Sequence, residues 1–309
     1  MTDEIFSDQE SDEVEILEFL LGEQSFGINV AKVMQILAYH ESKFTAVPGE
    51  NNAHLGVLLW QGKTIPLINL NRALNRKDQE PPEHPIVLVT RFCEVTNGFL
   101  ISDVNRIHRI GWKQVMPTDS FFSKYSSNIT GTISVDDKEI LLIDFEYIIA
   151  ELFPDTKMEY DLADVDIKKG AIRDDLKIIY SEDSNFIRNN ICGLLKKVGF
   201  NHITAFENGQ DAFDHINALV AQAQTENKPI SNFINLVISD IEMPRMDGLT
   251  LCRHIKQGLG LSNIPVVLFS SLIDEQMGLK CKDAGADVYT SKPKINELIV
   301  MIDDLLHVA

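Results

Sequence analysis

Asn235-Leu-Val-Ile-Ser-Asp240-Ile-Glu-Met-Pro-Arg-Met-Asp-Gly248 is an apolar run that ends in an acid and then breaks into a Pro/Gly turn. A run of this length bounded by turn residues reads as a buried parallel strand, with Asp240 at its carboxyl end. Open α/β sheets bind their ligands at that end. Three other runs also end in reactive groups. Leu176-Lys-Ile-Ile-Tyr180 leads to the acidic pair Glu182-Asp183, Ile264-Pro-Val-Val-Leu-Phe-Ser270 to a hydroxyl, and Asp287-Val-Tyr-Thr-Ser291 to Lys292-Pro293. Four strand ends thus offer carboxylates, a hydroxyl and one ammonium.

Outward from this stretch, strands alternate with amphipathic helical patterns from Leu176 to the last residue. The spacing predicts helices over 185–198, 209–224, 249–257, 274–284 and 295–307. Five β/α units in residues 176–309 make a flavodoxin-like doubly wound parallel sheet the economical fold. Residues 222–235 are longer and more polar than a usual helix–strand connection and read as a surface insertion. Upstream, residues 153–175 carry Pro154, scattered charges and Lys168-Lys169-Gly170 without apolar periodicity, which is the pattern of a linker.

The first half has a different rhythm. From Val14 to Asp144, short β-type runs follow one another closely, with turns at Gln61-Gly62 and Asp136-Asp137. Such spacing predicts an all-β barrel or sandwich. The exception is 31–37, where Val33, Ile36 and Leu37 have a helical spacing. Residues 145–153 read as a closing helix, so this domain is expected over 14–152, preceded by a solvated, disordered acidic tail over 1–13.

Charge and cysteine content narrow the function. With 28 Lys and Arg against 46 Asp and Glu, the formal charge is −18, and neither nucleic acid nor an anionic membrane surface is an expected partner. Cys93, Cys192, Cys252 and Cys281 form no CxxC or Cys/His cluster, so a zinc site or disulfide framework is not suggested and a cytoplasmic location fits. No basic, apolar leader opens the chain and no apolar run reaches membrane-spanning length, so no direct membrane insertion is expected.

Two resemblances fit these halves. Gly27-Ile-Asn-Val-Ala-Lys-Val33, Gly62-Lys-Thr-Ile-Pro-Leu-Ile-Asn-Leu70, and Thr130-Gly-Thr-Ile133 with Leu141-Leu-Ile-Asp-Phe145-Glu146 resemble the CheW-like coupling domain of bacterial chemotaxis. That resemblance implies a pair of small β-barrels without catalytic residues, binding the regulatory domain of a chemotaxis histidine kinase and the cytoplasmic tip of chemoreceptors. Val33, Gln35, Gln61 and Gly62 would lie on the partner surface. The family usually has arginine where Gln61 stands, and glutamate is common where Gln35 stands. Loss of the planar five-donor guanidinium is not conservative.

The second half is similar to the receiver domain of two-component response regulators. The resemblance rests on the Glu182-Asp183 pair, Asp240 followed by Met243-Pro244 and Asp247-Gly248, Ser270, and Lys292-Pro293, in that order. It implies that Asp240 accepts a phosphoryl group from a kinase phosphohistidine and that Lys292 neutralises phosphoryl oxygens. Ser270 would donate its hydroxyl, and Tyr289 would follow as the switch aromatic. Crowded carboxylates repel one another and a hard divalent cation relieves this. Asp183 and Asp240 would give side-chain oxygens to Mg²⁺, Glu182 would act directly or through water, and Glu242 would offer its backbone carbonyl. Leu272, two residues after the hydroxyl, is large and apolar and predicts slow autodephosphorylation.

Plainer readings exist for several of these residues. Glu182 and Asp183 could cap the helix at Asn185, Asp247-Gly248 reads as an N-cap and turn, and Tyr289, Met243 and Met246 could simply pack. His202 and His254 have no acids and serines arranged for hydrolysis. A coupling domain followed by a receiver implies a phosphorylation-controlled chemotaxis scaffold at receptor arrays beneath the inner membrane, and not an enzyme with a separate substrate. The alternatives are a phosphate sink with weakened receptor coupling, motivated by Gln61, and an aspartyl-nucleophile phosphatase with Glu242 as its second acid. A transcriptional role is not expected, as no DNA-reading helix pair follows.

Overall fold

The computed structural model describes residues 13–308 except 41–43, 48–51, 77–84, 93–94, 118–127, 154–168, 272–274 and 293–294. The expected acidic tail apart from Glu13, which opens the first strand, most of the expected linker, Leu272 and Pro293 lie outside the described residues. The chain divides into two compact units, one made of Glu15–Ile110 with Met116–Glu159, the other dominated by Tyr160–Ala309. Among the described residues, no helix is long and apolar enough to cross a membrane.

The first unit contains β1 (Glu13–Leu21), β2 (Gln24–Asn29), β3 (Val33–Ala38), β4 (Phe44–Ala46), β5 (His54–Trp60) and β6 (Lys63–Asn69). It continues with β7 (Ile86–Phe92), β8 (Val95–Ile101), β9 (Asp103–Gly111), β10 (Met116–Pro117), β11 (Ile129–Val135) and β12 (Lys138–Ile143). These form two six-stranded sheets, ordered β10-β11-β12-β2-β1-β9 and β3-β7-β8-β6-β5-β4. Both sheets curl into small barrels. The indole Nε1 of Trp60 on β5 donates to Gln35 Oε1 on β3 at 2.7 Å, although those strands stand four places apart in the sheet order. In a flat sheet that separation would be about 19 Å. Arg106 on β9 likewise pairs with Asp136 in the β11–β12 turn, across the other sheet. Gln61 and Gly62, with φ of 46° and 76°, and Asp136 and Asp137, with φ of 48° and 60°, make hairpin turns with both central residues left-handed.

The shared core lies between the sheets. Leu17, Phe19 and Leu21 alternate on one face of β1 and meet Phe26, Ile68, Leu88 and Phe99 there. The helix Phe145–Leu152, capped by Asp144 through Tyr147 N, drives Phe145 into this cluster. Its ring lies 4.8 Å from that of Phe99 and 5.6 Å from that of Phe92. One expected element is wrong. Residues 31–37 are not a helix; a 3-10 turn over Val30–Lys32 is followed by β3, antiparallel to β7. A bulge between Val33 and Gln35 adds one residue to the strand and breaks its period-two alternation. That is why Val33, Ile36 and Leu37 mimic a helical spacing.

The second unit has β13 (Lys177–Ser181), β14 (His202–Phe206), β15 (Leu236–Ser239), β16 (Val266–Ser270) and β17 (Val288–Ser291), all parallel in the order β14-β13-β15-β16-β17. This is the flavodoxin-like doubly wound order, whose direction reverses between β13 and β15. The helices Asn185–Lys197, Gly209–Glu226, Gly248–Arg253, Glu275–Asp283 and Ile295–Leu305 accompany it. The helix expected over 249–257 is α-helical only to Arg253 and continues as a π turn over His254–Gly258. The expected insertion over 222–235 begins as helix, which runs to Glu226, ends on Asn227 in the left-handed region and gives way to a 3-10 turn at Ile230–Asn232.

The reading of 153–175 as linker fails at its end. Residues Gly170–Arg173 are helical and Arg173 is fully buried. Its Nε and Nη2 donate to the two oxygens of Asp303 at 3.0 and 2.7 Å, and its Nη1 donates to Val198 O at 2.7 Å. The guanidinium also lies over the Phe200 ring. An arginine among scattered charges looks solvated in a sequence; its partner is 130 residues away.

Candidate functional site

The geometry at the end of β15 is built from the backbone outward. Ser181 pairs in register with Ser239, so the residues that follow each strand emerge side by side where the sheet order reverses. Asp240 N donates to Ser181 O at 2.9 Å. Beneath it, Ser181 Oγ donates to Ser239 Oγ, which donates to Asp240 O at 2.7 Å. Both hydroxyls are fully buried, and this polar ladder satisfies the strand end. The chain then folds back, with Gly248 N donating to Ile241 O at 2.9 Å. A Cβ on Gly248 would sit 2.0 Å from Asp240 O, so only glycine allows the return. Asp247 caps the next helix through Thr250 N, and Met243 and Met246 are buried as packing residues.

Glu182, Asp183 and Asp240 converge here, each offering a carboxylate oxygen within 4.8 Å of the others. Neither of the first two is the cap of the following helix; Ser184 is, accepting from Ile187 N. Lys292, 1% exposed, places Nζ 2.7 Å from Glu182 Oε2 and 2.9 Å from Asp240 Oδ2. Ile241 N donates to Asp240 Oδ1 at 2.6 Å. Three acids thus crowd round one ammonium, an excess of negative charge in a buried place. The donor set is all hard oxygen, with few protein ligands, and this fits Mg²⁺. Glu242 is buried two residues beyond Asp240.

Ser270 ends β16, fully buried, in register with Ser291 of β17. Lys292 N donates to Ser270 O at 3.0 Å, which ties the lysine to the strand that carries the hydroxyl. Tyr289 is half-buried, with its hydroxyl 3.0 Å from the place a Cβ on Gly278 would take. His202 and His254 are exposed. In the other unit, the Gln35–Trp60 bond brings Gln35 beside the Gln61-Gly62 turn, while Val33 is turned toward the core. Three of the four expected surface residues therefore gather at one end of one barrel. Met34, Ile36 and Leu59 are exposed on the strands that carry Gln35 and Trp60.

Two residues at the acidic site escape a motif-based reading. Tyr180 is fully buried and donates from its hydroxyl to Glu182 Oε2 at 3.0 Å. Burial first, then the Glu182 carboxylate, push its phenol well above the ordinary tyrosine range, so it remains a donor. Arg188, also buried, donates to Glu182 O at 2.6 Å and to Glu207 Oε1 at 2.9 Å, clamping the loop that carries the acidic pair. The signal for Tyr180 is its place two residues before Glu182 on the same strand face. Burial pushes the Cys252 thiol up to about 12 and the Cys281 thiol up to about 11, and raises that of Cys192, which disfavours the reactive thiolate at each.

Comparison with known proteins agrees with this division. Residues 15–153 match the CheW-like domain family and residues 178–303 the response regulator receiver domain family. Chemotaxis protein CheV3 of Helicobacter pylori is 30% identical over 306 residues, covering 94% of each chain. CheV1 of the same organism is 25% identical, covering 99% of this chain and 98% of its own. Among solved structures, the scaffolding protein CheW of Thermoanaerobacter tengcongensis aligns with 47% of this chain and 94% of its own, at 17% identity and a TM-score of 0.42.

Proposed function

The chain belongs to the CheV-type chemotaxis proteins, with a CheW-like domain and a receiver, and we propose that its receiver is the phosphorylation input to a scaffold that couples chemoreceptors to the histidine kinase. The observation that carries this reading is the Lys292 ammonium held between Glu182 and Asp240 at the end of a parallel sheet, with Asp183 beside them. In this reading a side-chain oxygen of Asp240 attacks the phosphorus of a kinase phosphohistidine. The P–O bond forms as the P–N bond breaks, and its electron pair returns to the imidazole.

Asp183 and Asp240 would hold Mg²⁺ through their side chains, Glu182 directly or through water, and Glu242 through its backbone carbonyl. Bound there, the cation supplies positive charge against the phosphoryl oxygens. Lys292 supplies the protein's own positive charge to the same group. Ser270 donates its hydroxyl to a phosphoryl oxygen, and Tyr289 moves with it from its half-buried place against Gly278. The coupling unit, over 14–152, carries the output. Gln35, Gln61 and Gly62 mark its surface for the kinase regulatory domain and the receptor tip, in arrays beneath the inner membrane, while Val33 packs toward the core.

The decisive experiment compares kinase activity in a receptor–kinase complex containing the wild-type protein or Asp240→Ala, with phosphodonor present. The two are expected to differ; identical output would leave the scaffold without a switch. A second reading, a phosphate sink with weakened coupling, is favoured by one detail. The Gln35 carbonyl is already engaged by Trp60, and the adjacent Gln61 carries no charge. Undiminished co-sedimentation with receptor and kinase would remove it.

A further inference from the structure

Resting on the reading of Asp240 as a metal-dependent phosphoacceptor, we propose that Tyr180 is a positioning residue of this site, setting the Glu182 carboxylate for the cation. Tyr180 lies in a strand buried on both faces, where its inner neighbours Ile178 and Ile179 fill space with hydrocarbon alone. An aliphatic side chain would fill that place without the cost of burying a hydroxyl. The phenol is tolerated because it has a partner, Glu182 Oε2, two residues along the same face. That oxygen also takes the Lys292 ammonium at 2.7 Å. Two donors approaching one oxygen, one from within the strand and one from another strand end, fix the plane of the carboxylate. One donor leaves it free to pivot about the contact.

Lys292 has a second obligation, to Asp240 Oδ2 at 2.9 Å. Whenever the ammonium turns toward Asp240 or toward a phosphoryl group there, the phenol is the donor that stays with Glu182. Tyr180 thus keeps one acid of the cluster in place while the shared cation serves the other. Partners that orient metal-binding side chains typically contribute about 10–100-fold to metal affinity.

The test is calorimetric titration of the full chain with MgCl₂, for wild type, Tyr180→Phe, Glu182→Gln and the double variant, with thermal unfolding of each. Tyr180→Phe keeps the ring and removes one oxygen. It is expected to weaken Mg²⁺ binding about tenfold, and to weaken it no further once Glu182 is glutamine. Phosphorylation of Tyr180→Phe by acetyl phosphate should return to near the wild-type rate at saturating MgCl₂. Wild-type Mg²⁺ affinity in Tyr180→Phe overturns the proposal, as does the same loss with and without Glu182. Failure of Tyr180→Phe to fold overturns it too, because the phenol would then be structural. Failure of the parent reading looks different: the wild type would bind Mg²⁺ yet take up no phosphate, whatever Tyr180 does.

Discussion

Each unit buries a glutamate, Glu18 within a strand and Glu182 just beyond the end of one, and the two are treated in opposite ways. In the coupling unit Glu18 is enclosed by compensating groups: Ser25 Oγ donates to its Oε1 at 2.7 Å, His108 Nε2 lies 2.8 Å from its Oε2, and the Arg106 guanidinium is 3.9 Å away. In the receiver Glu182 shares Lys292 with Asp240 and has Asp183 beside it. The first cluster is balanced, with donors matched to one carboxylate. The second has more carboxylates than its one ammonium neutralises. A buried charge that is fully matched holds a fold together, whereas a surplus of like charge costs stability and is kept where a ligand will resolve it.

The largest test asks whether balance is what matters, using a matched pair inside the receiver itself. Arg173 and Asp303 are bidentate and buried. Arg173→Leu leaves Asp303 with Lys169 alone, 3.7 Å away, and is expected to destabilise the receiver by up to about 3–5 kcal/mol, while Arg173→Leu with Asp303→Leu recovers most of that. Urea unfolding of the two variants checks it; equal losses would mean that packing, and not charge matching, governs the site.

The next test makes the same chemical change in both clusters. Glu18→Gln is expected to cost about 1–3 kcal/mol, since the donors aimed at a carboxylate meet a neutral amide. Asp183→Asn should change stability in the other direction, by roughly 1 kcal/mol, as one like charge leaves a crowded group. It should also weaken Mg²⁺ binding. Unfolding midpoints measured in chelator give both numbers, and a stability loss in Asp183→Asn would break the contrast.

These differences also explain what could be read in the chain beforehand. The parallel sheet was legible because buried strands are apolar on both faces, and the acids and lysine stand at their ends in a fixed order. Asp240, Glu182, Asp183 and Lys292 are found together for that reason. Tyr180 and Arg188 were not, because a tyrosine in an apolar run and an arginine in a helix look like filler and solvated charge until their partners are known. Arg173 is hidden in the same way. In the coupling unit, β3 carries a helical spacing because a bulge at Met34 interrupts its strand alternation. Glu18 and His108 are 90 residues apart, and period-two alternation places Glu18 inside a barrel without naming what meets it there.

The smallest expected effect is a pH dependence that belongs to one cluster. Burial alone would raise the Glu18 carboxyl, but hydrogen bonds from Ser25, His108 and Asn105, with the His108 charge, outweigh it and hold the group below its ordinary value. Its folded pKa therefore lies below its unfolded value of about 4.3. A depressed carboxylate contributes stability that is complete above the unfolded value and is lost as pH falls through the folded one. Arg106 and Asp136, at the mouth of the same barrel, form an exposed pair that salt screens. The gap in unfolding free energy between wild type and Glu18→Gln, followed by Trp60 emission in moderate salt, should accordingly close progressively below about pH 4. A gap that persists undiminished into acid would show that Glu18 is held by shape and not by charge, and the two buried glutamates would then differ in degree and not in kind.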